Sequence, residues 1–285
     1  MRRSRFPLLR FRSRSALAGV LLAATSLVAT ALVAQGRGWG REGRYLEPIR
    51  TGLPEHRSGF MFCRLQYDRV IGFPSGFGWG TDYPRSDRNF MTRLSQLTSA
   101  RVTHWNDGDV GHAVVRASDP DLFQCPFLFA SDPGTAGFSD AEVAGLRTWL
   151  LKGGFLWVDD FWGEPAWQHW AGEIGRVLPE HRIQDLTPGH PLYSVFYALP
   201  KVPQIPSIQS WYDTGGRTQE RGFEPGEPHL RAILDERGRI LVLMTHNTDI
   251  ADGWEREQDN EDFFYRFTAQ AYGVGINAVV WAMSH

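Results

Sequence analysis

Lysine is almost missing from this chain. Of its 30 basic residues only Lys152 and Lys201 are lysines, a bias that fits a GC-rich coding sequence better than a functional device. Cysteine is as scarce. Two residues, Cys63 and Cys125, with no C-x-x-C pair, exclude a disulfide-dense scaffold and give no sign of a zinc ribbon or a redox dithiol. There is no G-x-G-x-x-G or G-x-x-x-x-G-K stretch, so no phosphate cradle is announced. There is no excess of positive charge either: the formal net charge is −2, which argues against a general nucleic-acid binder. No internal repeat is visible. What is present is an ordinary globular composition, 42% hydrophobic and 22% charged over 285 residues, enough for one large domain or two small ones.

The N-terminus is a different polymer. Arg2, Arg3, Arg5, Arg10, Arg12 and Arg14 precede the uncharged stretch from Ala16 to Ala34, and no acid accompanies them. A positive segment before an Ala-rich apolar one is the pattern of an export signal, with Ala29-Thr30-Ala31 as an A-x-A cleavage site. The same stretch is just long enough to span a bilayer, so residues 1–34 read either as a signal peptide or as an N-terminal membrane anchor. Both place the remainder outside the cytoplasm, periplasmic or anchored at the inner membrane. Without those six arginines the chain keeps 24 basic residues against 32 acidic ones. An acidic exported domain suits a cation, a metal ion or a neutral sugar better than a phosphate-rich partner. Residues 35–58 lack apolar periodicity and read as a linker or an arm over the domain surface.

From residue 59 to 285 apolar runs alternate with helical patterns. Phe60–Val70 reads as a first strand, followed by a Gly-rich loop from Gly72 to Gly80 carrying Phe73, Phe77 and Trp79. Asp87 is placed as the cap of a helix running to Leu97. Phe127–Ala130 and Phe155–Val158 are continuous apolar runs, as expected of strands buried on both faces. Ser139-x-x-Glu142 is a capping box opening the helix between them. Pro165 stands in the first turn of the next helix. Residues 186–228 are rich in Pro and Gly and read as an insertion. Leu230–Leu234 and Ile240–Thr245 flank a tight turn and read as a hairpin, and the chain ends in a helix over Asp262–Met283. The expected fold is α/β, a flavodoxin-like three-layer sandwich around a mostly parallel sheet.

In open α/β sheets ligands bind beyond the carboxyl ends of the strands. The residues that leave each apolar run are therefore the candidates: Asp82 after the first loop, Ser131-Asp132, Asp159-Asp160 with Trp162 and Glu164, and His246-Asn247 with Asp249, Asp252 and Trp254. Asp159, Asp160 and His246 are the candidate catalytic residues. Adjacent residues of an extended chain point oppositely, so Asp159 and Asp160 share a pocket only if the chain turns between them. One is read as general base or metal ligand, or as the cap of the following helix. Asp160, His246 and Asp249 are the candidate ligands of a divalent metal, the cofactor these residue types allow. His246 can equally be a satisfied structural imidazole, and Asp249 and Asp252 loop acids. Trp79, Asp82, Asp132, Trp162, Glu164, Asn247 and Trp254 are the candidate ligand-binding residues, the indoles stacking on a sugar or other flat molecule, or packing in the core. Cys63, inside a strand, reads as a buried thiol, although export makes a disulfide chemically permissible.

Leu146-Arg-Thr-Trp-Leu-Leu-Lys-Gly-Gly-Phe-Leu-Trp-Val-Asp-Asp-Phe-Trp-Gly163, the run Asp119–Leu128, Arg64-Leu-Gln-Tyr67, Asp82–Asn89, His190-Pro191-x-Tyr193 and Gly253-Trp254 together resemble the bacterial family called domain of unknown function 4159. The resemblance covers most of residues 59–285. It implies a flavodoxin-like domain of the class I glutamine amidotransferase-like superfamily, similar also to trehalose-utilisation-type proteins. Such amidotransferases place a nucleophilic Cys on an elbow after a buried strand, with a later His and a Glu two residues beyond it. Here Phe161 is expected at the elbow of Asp159-Asp160-Phe161-Trp162-Gly163, and His246 is followed two residues on by Thr248. No glutaminase triad is supported.

Three readings follow. The first is an exported, non-catalytic domain binding a small molecule, a carbohydrate or an envelope protein, with nucleic acid excluded. The alternative is a metal-dependent or acid/base hydrolase using Asp159, Asp160 and His246. The third is a structural component of an envelope complex, using residues 186–228 as its interface. Fold alone does not separate them.

Overall fold

The structure, a computed structural model, describes residues 49–72, 76–220 and 226–285. The signal or anchor segment 1–34, most of the linker, Phe73 and part of the 186–228 insertion lie outside the described residues. From Ile49 to His285 the chain forms one compact unit. No helix among the described residues is long and apolar enough to cross a membrane.

Five strands supply the parallel part of the sheet: β1 (Phe62–Gln66), β3 (His112–Arg116), β4 (Phe127–Ser131), β6 (Phe155–Phe161) and β9 (Ile240–His246). The short β2 (Asp68–Arg69) and β5 (Ala136–Gly137) form a separate antiparallel pair. β7 (Ile183–Asp185) and β8 (His229–Leu234) complete a seven-stranded sheet in the order β3-β1-β4-β6-β9-β8-β7. Numbered among themselves, the parallel strands run 2-1-3-4-5, the order of a flavodoxin-like sheet. β9 is parallel to β6 and antiparallel to β8. The carboxyl end of β9 therefore joins those of β1, β4 and β6 at one edge, a direction the hairpin pattern alone left open.

Alternation along the strands builds two cores. Phe62, Phe129, Trp157 and Leu243 face α1 (Arg85–Leu97) and the C-terminal helices, whereas Cys63, Leu128, Leu156, Val158 and Met244 face α2 (Asp140–Leu151) and α3 (Gly163–Val177). Because both faces are covered, β4 and β6 are buried at every residue, and Phe127–Ala130 and Phe155–Val158 read as unbroken apolar runs. α2 opens on the expected capping box: Glu142 N–H donates to Ser139 Oγ at 3.3 Å, and Ser139 N–H to the Glu142 carboxylate at 3.0 Å.

Two expectations change. Cys63 and Cys125 are joined in a disulfide with 6.0 Å between Cα atoms. Cys63 points from β1 into the α2 face, where the turn before β4 brings Cys125 alongside. Asp87 caps nothing. The first helix begins two residues earlier, and the Asp87 carboxylate takes the Arg64 side chain in a fully buried ion pair at 2.5 Å. The 186–228 insertion, in its described part, contributes to the core. Leu186, Leu192, Tyr193, Val202, Ile205 and Ile208 pack into the α1-side core, around α4 (Ile208–Asp213).

Candidate functional site

Four non-glycine residues hold a left-handed backbone: Asp82 (φ 63°), Asp132 (φ 50°), Asp160 (φ 59°) and Asn247 (φ 58°). Asp and Asn tolerate this region best, yet strain of this kind persists only where its surroundings enforce it. Asp132 and Asn247 directly follow β4 and β9, Asp160 is the last residue but one of β6, and Asp82 lies in the loop before α1. All are buried. Asp160 lies at a break in the β6–β9 register between Val158 and Phe161, and Phe161 is packed into the core.

The left-handed turn at Asp160 breaks the alternation of β6, and both acids meet the segment that opens the helix after β9. Asp159 is held structurally: Thr245 Oγ1 donates to its Oδ1 at 2.5 Å and Ala251 N–H to its Oδ2 at 2.9 Å, tying β6 to β9 and to α5 (Ile250–Glu255). Asp160 reaches the same end of α5 with different partners. Trp162 Nε1 donates to its Oδ1 at 3.1 Å, and its carboxylate meets Asp82 and Asp249, the three offering oxygens within 4.8 Å of one another. A second group, Asp82, Asp252 and Glu255, meets the same limit. The spacing Asp249-x-x-Asp252-x-x-Glu255 puts the last two on one face of α5, three residues apart. Asp249 caps that helix by accepting from Asp252 N–H at 2.8 Å.

These carboxylates are almost closed off from water, between 2% and 5% exposed. Burial pushes Asp82 well up, and the neighbouring Glu255 and Asp252 add to it. Asp160 and Asp249 rise for the same first reason, then through each other's neighbourhood: Asp82 and Asp132 act on Asp160, and Asp160 and Asp82 on Asp249. Burial lifts Asp132, Asp159 and Asp252 to about 7. Asp82 Oδ2 is buried with no hydrogen-bond partner among the described residues. The basic groups nearby are largely committed. Arg64 donates to Asp87, to Ser86 Oγ and to the carbonyls of Trp79 and Thr81, which fixes the loop that presents Asp82. Arg256 lies 2.8 Å from Glu255 Oε2 and 3.5 Å from Asp252 Oδ1. Burial opposes the charge of this guanidinium, but Glu255, Asp252 and Asp82 together hold its pKa up. Buried acids in this excess are stable when neutralised by protons or by a cation.

His246 belongs elsewhere. Arg231 Nη1 lies 3.1 Å from Nδ1 and the carbonyl of Gly163 3.2 Å from Nε2. Since a guanidinium only donates, Nδ1 accepts and Nε2 carries the proton. Burial lowers its pKa to about 4, helped by Arg231 and His229. This imidazole is a neutral structural group, packed on Phe161 and Trp167, and it is in neither carboxylate triad. Glu164 is exposed and bonded to Gln168. Asn247 ties the edge together: its Oδ1 accepts from Gly163 N–H at 2.9 Å and its Nδ2 donates to the Glu227 carbonyl at 3.1 Å. Asp132 accepts from Gly78 N–H at 2.9 Å.

The indoles are placed differently from a stacking rim. Trp254 is fully buried among Phe62, Phe90, Phe129, Trp157 and Tyr272. Trp162 is 1% exposed and serves Asp160, while Trp79 is half-buried against Tyr83. Sequence reasoning missed Glu255, although its place three residues after Asp252 was the available signal. It also missed Arg256 and the Arg64–Asp87 pair.

No curated protein matches the sequence. A family model does, over residues 61–283, which spans the sheet, the helices and every carboxylate of the site. The chain belongs to the family described as Domain of unknown function (DUF4159).

Proposed function

We propose that this protein is an exported, non-glutaminase binding domain whose central ligand is a hard divalent cation held by Asp82, Asp160 and Asp249. One observation carries the reading: three buried carboxylates from three separate chain segments offer oxygens within 4.8 Å of one another, and Asp82 Oδ2 has no partner among the described residues. Hard cations take such oxygen ligands and complete their shells with water or with oxygens of a bound molecule. An oxygen-rich small molecule, a carbohydrate included, binds through the cation. On a glutamine amidotransferase-like scaffold Asp160 takes the elbow position of the thiol, so charge replaces nucleophile. The arginine-flanked apolar N-terminus and the Cys63–Cys125 bridge support a place outside the cytoplasm, where disulfides persist.

Metal analysis of the purified chain, followed by titration with Mg²⁺, Ca²⁺ and Mn²⁺ after chelation, tests this. At least one ion per chain is expected, with Asp160→Ala losing it. An ion-free chain that none of the three stabilises would refute the reading. A second reading is hydrolysis by a cation-activated water, with Asp132 as general base. Burial lifts Asp132 to about 7, and it is close enough to raise the neighbouring Asp160. Loss of turnover, but not of ion binding, in Asp132→Asn would separate this reading from simple binding.

A further inference from the structure

Asp82 belongs to both carboxylate groups, and this inference rests on the cation reading above. With Asp160 and Asp249 it closes one triad, and with Asp252 and Glu255 the other, each within 4.8 Å. Asp82 is 3% exposed and its Oδ2 has no hydrogen-bond partner among the described residues. An ionised carboxylate has two oxygens and about four lone-pair sites, so it can serve two positions at once. The other acids keep lone pairs free. Asp160 Oδ1 accepts one indole N–H, Asp249 Oδ1 one backbone N–H, and Asp252 Oδ2 the N–H of Ile208 at 2.7 Å.

Charge points the same way. Asp82, Asp160, Asp249, Asp252 and Glu255 make five carboxylates, and Arg256 is the basic side chain that ion-pairs among them. Arg64 is fully engaged by Asp87, Ser86 and two carbonyls. Over these five carboxylates, Arg256 with one divalent ion leaves two negative charges and Arg256 with two divalent ions leaves none, while the buried Asp132, Asp159 and Glu220 add negative charge to the same neighbourhood. An uncompensated buried charge is strongly destabilising, so the second ion has a clear electrostatic basis.

We infer that the site is a two-cation centre bridged by Asp82: Asp160 and Asp249 complete the first position, Asp252 and Glu255 the second. Arg256 flanks the second position and lowers its affinity relative to the first. Paired sites of this kind hold their ions about 3.5–4 Å apart.

Mn²⁺ is the probe. The chelated full-length chain is titrated at pH 8 by calorimetry and by electron paramagnetic resonance. Two ions per chain are expected, the second weaker, with the spectrum of an exchange-coupled pair at saturation. Asp252→Asn should reduce the stoichiometry from two to one and abolish the coupling, leaving the first affinity within a few-fold. Asp82→Asn should weaken both positions by at least about ten-fold. One ion in the native chain, unaffected by Asp252→Asn, would overturn the bridged pair and leave the single-cation reading standing. Two ions without coupling would also overturn it. No bound Mn²⁺ would overturn both. The native spectrum decides the matter even if a variant fails to fold.

Discussion

Removing cations from the carboxylate centre should make the folded chain less stable as the pH rises. Asp132, Asp159 and Asp252 titrate at about 7, chiefly because burial disfavours their charge, whereas an unfolded Asp titrates near 4. Between those values the folded chain binds more protons than the unfolded one. The stabilisation is fully present below about pH 4 and is lost as the pH climbs through about 7. For one such carboxyl the loss between pH 5 and 8 is roughly 2.6 kcal/mol. His246 works in the opposite sense. Its pKa is lowered to about 4, so it contributes stability that grows as the pH rises, roughly 2 kcal/mol over the same interval. Two or three of the carboxyls against one imidazole leave a net loss of about 3–6 kcal/mol, or a fall in Tm of roughly 10 °C or more for a domain this size. Thermal melts in chelator at half-unit steps from pH 5 to 8 measure it, and repeating them with millimolar Mn²⁺ should recover most of the loss at pH 8 and little at pH 5. A Tm that stays level or rises from pH 5 to 8 in chelator would mean that the acids are already ionised and internally compensated, and the electrostatic reasoning would fail.

Breaking the disulfide should act through the unfolded chain. The bridge spans a separation of 62 residues, for which loop-closure entropy gives roughly 4 kcal/mol. Cys63→Ala with Cys125→Ala should lose about that much in denaturant unfolding while ion affinity stays within a factor of two; an equal stability in both forms would show that the loop entropy is offset elsewhere. His246→Gln should leave Mn²⁺ affinity unchanged, because both ring nitrogens are already bonded within the protein. A loss of ion binding in that variant would restore His246 to the site.

Much of the fold is readable where one residue's surroundings dominate its chemistry. Phe155–Val158 is apolar because β6 is covered on both faces, and the two acids that follow are buried as well, which marks them as exceptions. The direction of β9 is not readable, since a hairpin pattern is the same whichever strand joins the sheet. Arg64 and Asp87 are 23 residues apart and satisfy each other only once α1 lies on the sheet. Local patterns thus assign Asp87 to a helix end. Trp254 follows a glycine in a polar stretch and reads as a rim residue. α5 instead folds back and drives the indole into the aromatic core, which leaves Asp252 and Glu255 for the carboxylate cluster. The pairing of Cys63 with Cys125 is equally a product of long-range packing.

Backbone strain and charge at Asp160 can be separated, and the comparison tests why an acid occupies the elbow. Asn tolerates the left-handed region nearly as well as Asp, keeps an oxygen for the Trp162 indole, and removes the charge. Ala removes the charge and adds a left-handed penalty of about 1–2 kcal/mol. In chelator at pH 8, Asp160→Asn should therefore melt above the native chain, since it relieves repulsion from Asp82 and Asp132. Asp160→Ala should melt below Asp160→Asn by roughly the penalty, a few degrees. Both should lose most of the stabilisation that Mn²⁺ gives. If Asp160→Asn melted lower than the native chain in chelator, the carboxylate would be contributing stability through a partner, and the elbow would be a structural feature. If it melted higher yet kept the full response to Mn²⁺, the ion would bind elsewhere. Only a gain without the ion together with a loss of the response fits an acid kept under strain to hold a cation.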